Sequence, residues 1–404
     1  MRGVLSQREK PQGFTALYPR TTYPGQGKSE LGELGGCEEG SMATSLEACR
    51  RAIGPLDAGA MSEAARRWDM LTKPRGSLGR LETLASQVAG ITGTARPRLS
   101  ERVVFVLAGD HGVVAEGVSA YPADVTAQMV YNFVRGGAAI NVLARHVGAR
   151  VIVVDMGVDA ELPVLPGLLL RKIRRGTANF AQQPAMTAAE ALASIEHGIA
   201  LAEAEVKAGQ TWAVTGDMGI GNTTASSAIV AVMTGATVET VTGGGTGVTG
   251  PALAHKAAVI RQALDRHRPD TQNALDVLSK VGGFEIGGLV GVILGAAAQR
   301  CPVVLDGLIA TAAALLAVRL VPAVREYLIA GHRSVEPGHT VALQALRLAP
   351  VLDLEMRLGE GTGGVLALTV VEAACRLLDE MATFEEAGVA TNETPHIPSA
   401  GGTP

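Results

Sequence analysis

The sequence predicts an α/β fold built on a doubly wound, Rossmann-like and mainly parallel sheet. Short apolar runs rich in β-branched residues recur along the chain, and long segments rich in Ala and Leu with a helical period separate them. Each run also ends in a polar glycine turn. Strands that helices cover on both faces have this continuous apolar character, so the runs are predicted to form one buried sheet. They lie at residues 103–107, 151–154, 212–215 and 303–305.

The glycine turns after these runs form the predicted ligand-binding edge. Their sequences are AGDHG (108–112), DMG (155–157), GDMGIGNTT (216–224) and DG (306–307). The carboxyl ends of parallel strands meet at one edge of a sheet, and ligands of open α/β sheets bind there. We therefore expect the polar side chains of these turns to lie close together.

Composition is typical of a large enzyme without a nucleic-acid partner. The 404 residues are 47% hydrophobic and 18% charged, which allows a sizeable core. A net charge of -4 provides no attractive field for nucleic acid, and an aromatic content of 3% argues against base-stacking surfaces. The four cysteines lack CxxC spacing, which indicates reduced thiols in a cytoplasmic protein. The eight histidines show no metal-binding pattern, and we predict neither a metal nor a cofactor.

Two strongly apolar segments, 286–298 and 307–318, are predicted to be buried helices. Each is shorter than the roughly 20 residues that a bilayer span needs, so no membrane association is expected. In the first segment Gly287, Gly291 and Gly295 would let another backbone approach closely. We expect that neighbour to be the sheet, with a dimer contact as the alternative.

The two ends of the chain differ in composition from the rest. Residues 1–41 are rich in Gly, Pro, Gln and charge without a sustained period, which predicts a disordered extension or a misassigned start, with Met42 as the true start. From residue 46 to 71 the pattern becomes helical. Residues 389–404 are predicted to be a disordered tail.

A carboxylate in a glycine-rich turn is the most informative single feature. The sequence GEGTGG (359–364) precedes an apolar helix predicted at about 365–384. Backbone N–H groups at a helix N-terminus bind phosphate, so a carboxylate at this place is better suited to act as a base. Alternatively, Glu360 complements the positive end of the helix dipole.

One motif favours a different enzyme. The sequence GTGVTG (245–250) satisfies the GxGxxG pattern, a helical segment follows from Pro251, and Asp265 lies at a suitable distance for a ribose contact. This would predict an NAD-dependent oxidoreductase. The strand predicted before it, at 238–242, is short and half polar, and the motif lies in the middle of the chain. We therefore treat the oxidoreductase as the weaker alternative.

Several longer strings together resemble the nicotinate-nucleotide–dimethylbenzimidazole phosphoribosyltransferase family. They are KPRGSLGRLE (73–82), GDHG (109–112) with SAYP (119–122) and VTAQM (125–129), GDMGIGNTT (216–224), GHRSVEPGH (331–339) and RLGEG (357–361). The resemblance extends from about residue 46 to 389. It implies a doubly wound parallel sheet, a small helical domain built from both chain ends, and a homodimer.

With this resemblance, the chain is expected to divide into five parts. Residues 1–41 are the disordered extension, and 42–98 supply the N-terminal helices of the small domain and a lead-in segment. Residues 99–364 form the α/β catalytic domain, 365–388 the helix that completes the small domain, and 389–404 the tail.

The family reaction, as implied by the resemblance, transfers phosphoribose from nicotinate mononucleotide to 5,6-dimethylbenzimidazole. It gives nicotinate and α-ribazole 5′-phosphate, with inversion at C1′, during assembly of the lower-ligand nucleotide of cobalamin. Nicotinate departs from a cationic ring nitrogen and needs no acid. The attacking benzimidazole becomes cationic, and a base offsets this charge by removing the proton from its other nitrogen. In the family this base is the glutamate of RLGEG, which matches Glu360.

Other roles also follow from the resemblance. Asp217 matches a second acidic position near the ribose and base, with helix capping as the alternative. Lys256 matches a lysine that reaches the 5′-phosphate, with a solvated helix face as the alternative. The donors expected to bind that phosphate are Gly219, Gly221, Asn222, Thr223 and Thr224. Tyr121 and Gln128 are expected to line the benzimidazole pocket, with a structural role as the alternative for Gln128. For His111 the alternative is a hydrogen bond to the local backbone. Further substrate contacts are expected from Asp110, His111, Gly245, Thr246, Gly247, Arg333, Gly359 and Gly361.

The chain departs from the family in one turn. The usual GRGTG occurs here as GGGTG (243–247), and the acidic pair that usually follows is Thr249-Gly250. Loss of a guanidinium near an anionic nucleotide costs roughly 1.5–3 kcal/mol if nothing replaces it. We expect Arg333 or Lys256 to compensate. A family-like protein that binds the base or nucleotide without efficient turnover is therefore a second alternative.

Overall fold

The computed structural model describes residues 45–98 and 100–390. The predicted extension at 1–41 and the proposed start at Met42 lie outside the described residues. The predicted tail at 389–404 also lies outside them, except for its first two residues.

Six parallel strands in the described residues form one sheet. They are β1 (Arg102–Gly109), β2 (Arg150–Gly157), β3 (Leu168–Leu170), β4 (Trp212–Met218), β5 (Val303–Leu305) and β6 (Leu328–Ala330). Their order in the sheet is β3-β2-β1-β4-β5-β6, and every neighbouring pair is parallel. The predicted doubly wound parallel sheet is confirmed, and the four predicted runs are its central strands β1, β2, β4 and β5.

Helices cover both faces of this sheet. In the described residues they are α1 (Ser45–Ala52), α2 (Ala58–Met70), α3 (Arg80–Thr92), α4 (Val125–Val134), α5 (Ala139–Val147), α6 (Ala188–Lys207), α7 (Asn222–Thr234), α8 (Val238–Val241), α9 (Gly250–His267), α10 (Ala274–Val281), α11 (Phe284–Ala298), α12 (Leu308–Leu320), α13 (Pro337–Leu346), α14 (Thr362–Glu380) and α15 (Phe384–Ala387). Short 3₁₀ helices lie at Gly112–Glu116 and Pro322–Tyr327. No helix among the described residues is both long and apolar enough to cross a membrane.

The two faces are distinguished by alternate residues of β1. Val104 and Val106 share a buried cluster with Val365 and Leu368 of α14, which packs on one face beside α5. A Cβ placed on Gly288 of α11 would lie 2.5 Å from Leu107 on the opposite face. Successive side chains of a strand point to opposite faces, so both faces of β1 are buried, as its unbroken apolar run indicates.

Helices from both ends of the chain meet at α14. This helix packs on α2 and α3, and the Arg67 guanidinium of α2 donates to the carbonyls of Leu378 and Asp379. Helix α1, in contrast, packs on α6 and α11. The division into a small helical domain and an α/β catalytic domain stays a prediction.

Three sequence-based boundaries are wrong. The helix predicted at 365–384 runs from Thr362 to Glu380, because the chain turns extended at Met381 and Thr383 then bridges to Leu71. The helical pattern at 46–71 is interrupted between α1 and α2 by Gly54 and Pro55. The strand predicted at 238–242 is the short helix α8. Its N-terminus is capped by Thr237, whose side chain accepts the Thr240 N–H.

The glycine spacing in α11 serves contact with another helix. A Cβ on Gly287, Gly291 or Gly295 would collide with α6, the last of these at 2.9 Å from Ile199 O. The expectation that these glycines face the sheet is therefore wrong, since Gly288 occupies that side. The helices run parallel and approach closely because both backbones lack side chains at the contact, Gly198 being the matching position on α6.

Replacing Gly291 by alanine is expected to destabilise the fold. The new Cβ would lie 2.7 Å from Ile199 N and 2.8 Å from Gly198 Cα, so two buried helices must separate. Overpacking of this kind costs about 1–3 kcal/mol, which a urea-unfolding midpoint would report. Gly54→Ala is the control, because a Cβ there has no described atom within 4 Å. Equal midpoints for the two variants would contradict this account of the helix pair.

Candidate active site

Buried polar side chains gather at the carboxyl edge of the sheet, around the junction of β1 and β4. Strands β2 and β3 lie on one side of β1, and β4, β5 and β6 lie on the other, so this junction is a topological switch point. Ligands of open α/β sheets bind in the crevice at such a point. The residues at the strand ends include Asp110 and His111 after β1, Asp217 in β4, Asp306 after β5 and His332 after β6.

Glu360 lies in a left-handed turn above β4. The φ angles of Gly359, Glu360 and Gly361 are 85°, 64° and 90°, and this region is costly for the glutamate. A Cβ on Gly216 of β4 would lie 2.6 Å from Glu360 O, so the turn rests directly on the strand. The Glu360 carboxylate Oε2 accepts the N–H of Ile140 at 3.2 Å, in the first turn of α5.

The N-terminus of α14 is occupied by a different carboxylate. Asp306 accepts the N–H groups of Gly361, Gly363 and Gly364 at 2.8–3.1 Å. Asp306, and not Glu360, therefore accepts these N–H groups, and the helix-dipole alternative for Glu360 stays open. Its side chain is instead directed across the turn toward α5.

The environment of Glu360 suits a base. The side chain is 6% exposed, and burial raises its pKa. The Ile140 N–H opposes this rise and the Asp306 charge adds to it, so the pKa of Glu360 lies above its usual value. A general base works best when its pKa approaches the working pH.

Asp217 lies beside this turn at the end of β4. Its Oδ2 accepts Asn222 Nδ2 at 2.9 Å, whereas Oδ1 has no hydrogen-bond partner among the described residues. Burial, followed by the charges of Asp306 and Glu285, raises the pKa of Asp217 well above its usual value. The carboxylate bonds to the Asn222 side chain, so helix capping does not account for it.

His111 and Glu285 form a buried pair next to the 219–224 turn. His111 Nε2 and Glu285 Oε1 are 2.7 Å apart, and both side chains are fully buried. Burial alone would lower the pKa of His111, but the Glu285 carboxylate outweighs it and raises this pKa. Asp110 is tied to the neighbouring loop because its Oδ2 accepts the Asp159 N–H at 2.8 Å. Burial raises the pKa of Asp110.

The predicted phosphate turn has the expected local structure. Residues 219–224 follow β4 and open α7, with Gly221 in the left-handed conformation at the N-cap. Lys256 of α9 donates to Thr223 Oγ1 at 2.9 Å and to Gly243 O at 3.0 Å. The lysine is 1% exposed, so its interpretation as part of a solvated helix face is wrong. Burial lowers the pKa of Lys256 to about 8, against the opposing effect of Glu336.

The variant turn at 243–247 is held by side chains from distant segments. Gly245 N donates to Glu336 Oε1 at 2.8 Å, and Arg357 Nη1 donates to Gly245 O at 3.1 Å. Thr246 Oγ1 accepts the Ala120 N–H at 3.1 Å. Arg357 thus supplies a guanidinium to this turn. Arg333 is exposed and faces Asp353 at 3.6 Å, and Lys256 donates to Gly243 O of this turn. Compensation by Arg333 or Lys256 stays a prediction.

The remaining predicted site residues lie nearer the surface. Tyr121 is 54% exposed and follows Ser119, whose Oγ lies 3.3 Å from Thr246 Oγ1. Gln128 is exposed on α4. Gly359 lies beside Asp217, because a Cβ there would be 3.2 Å from Asp217 Oδ2. Gly247 adopts a φ of 121°.

The comparisons with known proteins agree with this geometry. A family model described as "Phosphoribosyltransferase" matches residues 53–389. A Roseiflexus sp. (strain RS-1) protein named nicotinate-nucleotide–dimethylbenzimidazole phosphoribosyltransferase is 63% identical over 337 residues, which cover 83% of this chain and 96% of the relative. The chain belongs to the nicotinate-nucleotide–dimethylbenzimidazole phosphoribosyltransferase family.

Further members of this phosphoribosyltransferase family support the assignment. The Geobacter sulfurreducens relative of the same name is 57% identical over 341 residues, covering 84% of this chain and 97% of the relative. The crystal structure of CobT from Thermus thermophilus has a TM-score of 0.80 at 49% identity, covering 82% of this chain and 99% of that chain. The resemblance in the sequence strings is thereby confirmed. The oxidoreductase alternative loses its support, since its motif also follows a helix, α8, in place of a strand.

Several residues of this phosphoribosyltransferase site were not assigned from the sequence. Asp306, His332 and Glu336 lie in strings that were noted, and their positions after β5 and β6 were the signal available. Arg357 belongs to RLGEG but received no role. Glu285 stands in the apolar run of α11 and gives no local signal, because its partner His111 is 174 residues away.

Proposed function

We propose that this protein transfers phosphoribose from nicotinate mononucleotide to 5,6-dimethylbenzimidazole, forming α-ribazole 5′-phosphate and nicotinate during assembly of the cobalamin nucleotide loop. One observation carries the proposal. A buried carboxylate, Glu360, and the 219–224 turn, to which Lys256 donates, both lie at the switch point of the sheet. Family membership supports the same reaction.

The nucleotide would bind through its 5′-phosphate at the N-terminus of α7. The N–H groups of this helix end carry partial positive charge, and Lys256 adds a full charge beside Thr223. The contributing residues are Gly219, Gly221, Asn222, Thr223 and Thr224. The turn at Gly245, Thr246 and Gly247 lies against the same lysine and would close the other side of the phosphate.

Glu360 would act as the general base. One ring nitrogen of dimethylbenzimidazole attacks C1′ from the face opposite nicotinate, while Glu360 takes the proton from the other ring nitrogen. The C1′–N bond to nicotinate breaks, and its electron pair neutralises the pyridinium ring. A positioned base of this kind contributes about 10²–10⁴ in rate.

Asp217 would contact the ribose or the incoming base. Its elevated pKa favours the neutral acid, and Oδ1 is unpaired within the described residues. A neutral carboxyl can donate a hydrogen bond as well as accept one, which suits a sugar hydroxyl. Tyr121 and Gln128, on the exposed side of the crevice, are proposed to border the benzimidazole, and Asp110 and His111 to support the phosphate turn from below.

The alternative is a protein that binds base or nucleotide without efficient turnover. It was suggested by the missing arginine at Gly244. A Cβ at this position would lie 2.8 Å from Val248 O, so the turn is adapted to glycine. Arg357, which belongs to the family string RLGEG, donates to Gly245 O and holds this turn without the missing arginine. Together with membership of the family, this favours the active enzyme.

Product analysis separates the two functions. Incubation with nicotinate mononucleotide and dimethylbenzimidazole, followed by chromatography, should give α-ribazole phosphate and nicotinate in equal amounts. Calorimetry on the same preparation would measure binding of each substrate. Binding without either product would establish the alternative.

The dependence of turnover on pH should report Glu360. A base must be ionised, so kcat is expected to fall as the pH decreases through the pKa of Glu360. Because burial raises that pKa, the acid limb should lie above the usual glutamate value of about 4.3. The check is kcat at saturating substrates between about pH 4.5 and 8. A constant kcat over this range would contradict the assignment of the base.

We also propose that the protein is a cytoplasmic homodimer, as the family resemblance implies. The described cysteines, Cys49, Cys301 and Cys375, are unbonded and buried, which is consistent with a reducing compartment. Sedimentation equilibrium would give the mass of the assembly, and a monomer at micromolar concentration would refute the dimer.

A further inference from the structure

Asp306 connects the end of β5 to the first turn of α14. Its carboxylate accepts Gly361 N at 3.0 Å through Oδ2, and Gly363 N at 2.8 Å and Gly364 N at 3.1 Å through Oδ1. The side chain is 1% exposed. Thr215 Oγ1 of β4 accepts the Asp306 N–H at 3.2 Å, so the backbone of the aspartate is fixed as well.

The turn that Asp306 holds is strained at Glu360. A non-glycine residue with a φ of 64° persists only where its surroundings impose that conformation. Gly361, the residue directly after Glu360, gives its N–H to Asp306. On the other side, the Glu360 carbonyl rests on Gly216 of β4. The strand and the Asp306 carboxylate together determine which way the glutamate points.

We infer that Asp306 is a positioning residue for the transfer reaction, which holds the 359–361 turn in its left-handed form and so aims the Glu360 carboxylate at the substrate. The inference rests on the proposed function. It adds a role that neither the sequence strings nor the family resemblance assigned. A shift of about 1 Å in a catalytic group can cost about 10²-fold in rate, so loss of this anchor should affect turnover strongly.

His332, two residues after β6, packs beside Asp306. Its Nε2 lies 3.5 Å from Asp306 Oδ1 without a hydrogen bond, and its ring stacks on His339 with centroids 6.0 Å apart. His339 is itself bonded to Thr311 Oγ1 at 3.0 Å and to His332 O at 3.0 Å. The anchor is therefore part of a buried network that spans β5, β6, α12 and α13.

Asp306 also acts on Glu360 through its charge. The titratable groups that act on Glu360 are Asp217 from β4 and Asp306 from the end of β5, and α5 contributes the Ile140 N–H. His332, after β6, lies next to Asp306. Burial raises the pKa of Asp306, but His332 and the three N–H donors oppose this rise because they favour the carboxylate. The Asp306 charge raises the pKa of Glu360. Removal of that charge should lower it.

The test is Asp306→Asn in the full chain. We expect kcat to fall about tenfold or more, with KM for nicotinate mononucleotide within about threefold of the parent, because the phosphate turn is unchanged. The acid limb of kcat should move to lower pH. A merely structural role would lower the melting temperature and the active fraction but leave the acid limb in place. Asp57→Asn is the matched control, since Asp57 caps α2 by accepting Ala60 N at 2.8 Å, far along the chain from Glu360.

Each outcome decides the inference. A kcat within about threefold of the parent together with an unmoved acid limb overturns it. If Asp306→Asn does not fold, Asp306→Ser keeps one acceptor at the helix end without the charge, and the same two measurements on that variant decide. A parent enzyme that makes no product refutes the proposed function and this inference with it. An active parent with an unaffected Asp306 variant refutes the inference alone.

Discussion

Replacing Glu360 by glutamine is expected to lower kcat by about 10²–10⁴. The amide has the same shape, and its oxygen can still accept the Ile140 N–H, so the 359–361 turn should persist. It cannot take a proton from the azole. KM for nicotinate mononucleotide should change little, because the phosphate turn belongs to β4 and α7. Steady-state kinetics with varied nucleotide at saturating dimethylbenzimidazole would measure both quantities.

The matched control is Glu355→Gln. Glu355 is also a left-handed glutamate, with a φ of 55°, and it lies five residues earlier on the exposed part of the same segment. It should retain the parent kcat. If Glu360→Gln also retains kcat within a few-fold, Glu360 is not the base, and Asp217 becomes the residue to test.

Replacing Lys256 by methionine is expected to raise KM for nicotinate mononucleotide about 10- to 100-fold. A hydrogen bond to a charged group contributes about 1.5–3 kcal/mol, and each 1.4 kcal/mol corresponds to about tenfold. Methionine fills nearly the same buried space, so the effect should come from the lost charge. KM for dimethylbenzimidazole, which has no phosphate, should stay near that of the parent. Inorganic sulfate should compete with the nucleotide more strongly in the parent than in the variant.

The pH dependence of KM for the nucleotide provides a second test of Lys256. Burial lowers this pKa from 10.5 to about 8, so the lysine loses its charge as the pH rises through about 8. KM for the nucleotide should therefore rise above that pH in the parent and not in Lys256→Met. Lys280→Met is a suitable control, since Lys280 pairs with Asp276 on α10. Loss of benzimidazole affinity alone would mean that the phosphate binds elsewhere, and the 243–247 turn would be the next candidate.

The sequence predicts the centre of this sheet better than its edges. Strands β1, β2, β4 and β5 are preceded or followed by glycine turns and helical segments that mark them clearly. Strands β3 and β6 have three residues each, too few to show a period, whereas β5, of the same length, was marked by the Asp306-Gly307 turn that follows it. The helix α8 was taken for a strand because Val and Thr favour strands, but its Thr237 cap and its packing on α7 and α9 determine the helix.

The candidate site was predictable where function follows from position in a strand-turn-helix unit. Asp217 and the 219–224 turn are of this kind. Glu285 and Glu336 are not, because their partners His111 and Gly245 are 174 and 91 residues distant. The burial of Lys256 in α9 could not be predicted either, because the helical period does not show which element covers a given face of the helix. For the same reason the sheet, and not α6, was predicted to contact the α11 glycines.

The strand order also constrains how the chain acquires its activity during synthesis. Strand β1 lies in the middle of the sheet, yet its neighbour β4 is made about a hundred residues later, and the turn that carries Glu360 comes later still. At about 5–20 residues per second, the ribosome needs roughly 10–50 s to pass from β1 to Glu360. Until β4 is made, one edge of β1 is unpaired and can pair with other nascent chains. No N-terminal fragment that ends before residue 360 contains Glu360, so, if this residue is the base, activity requires synthesis of the chain at least that far.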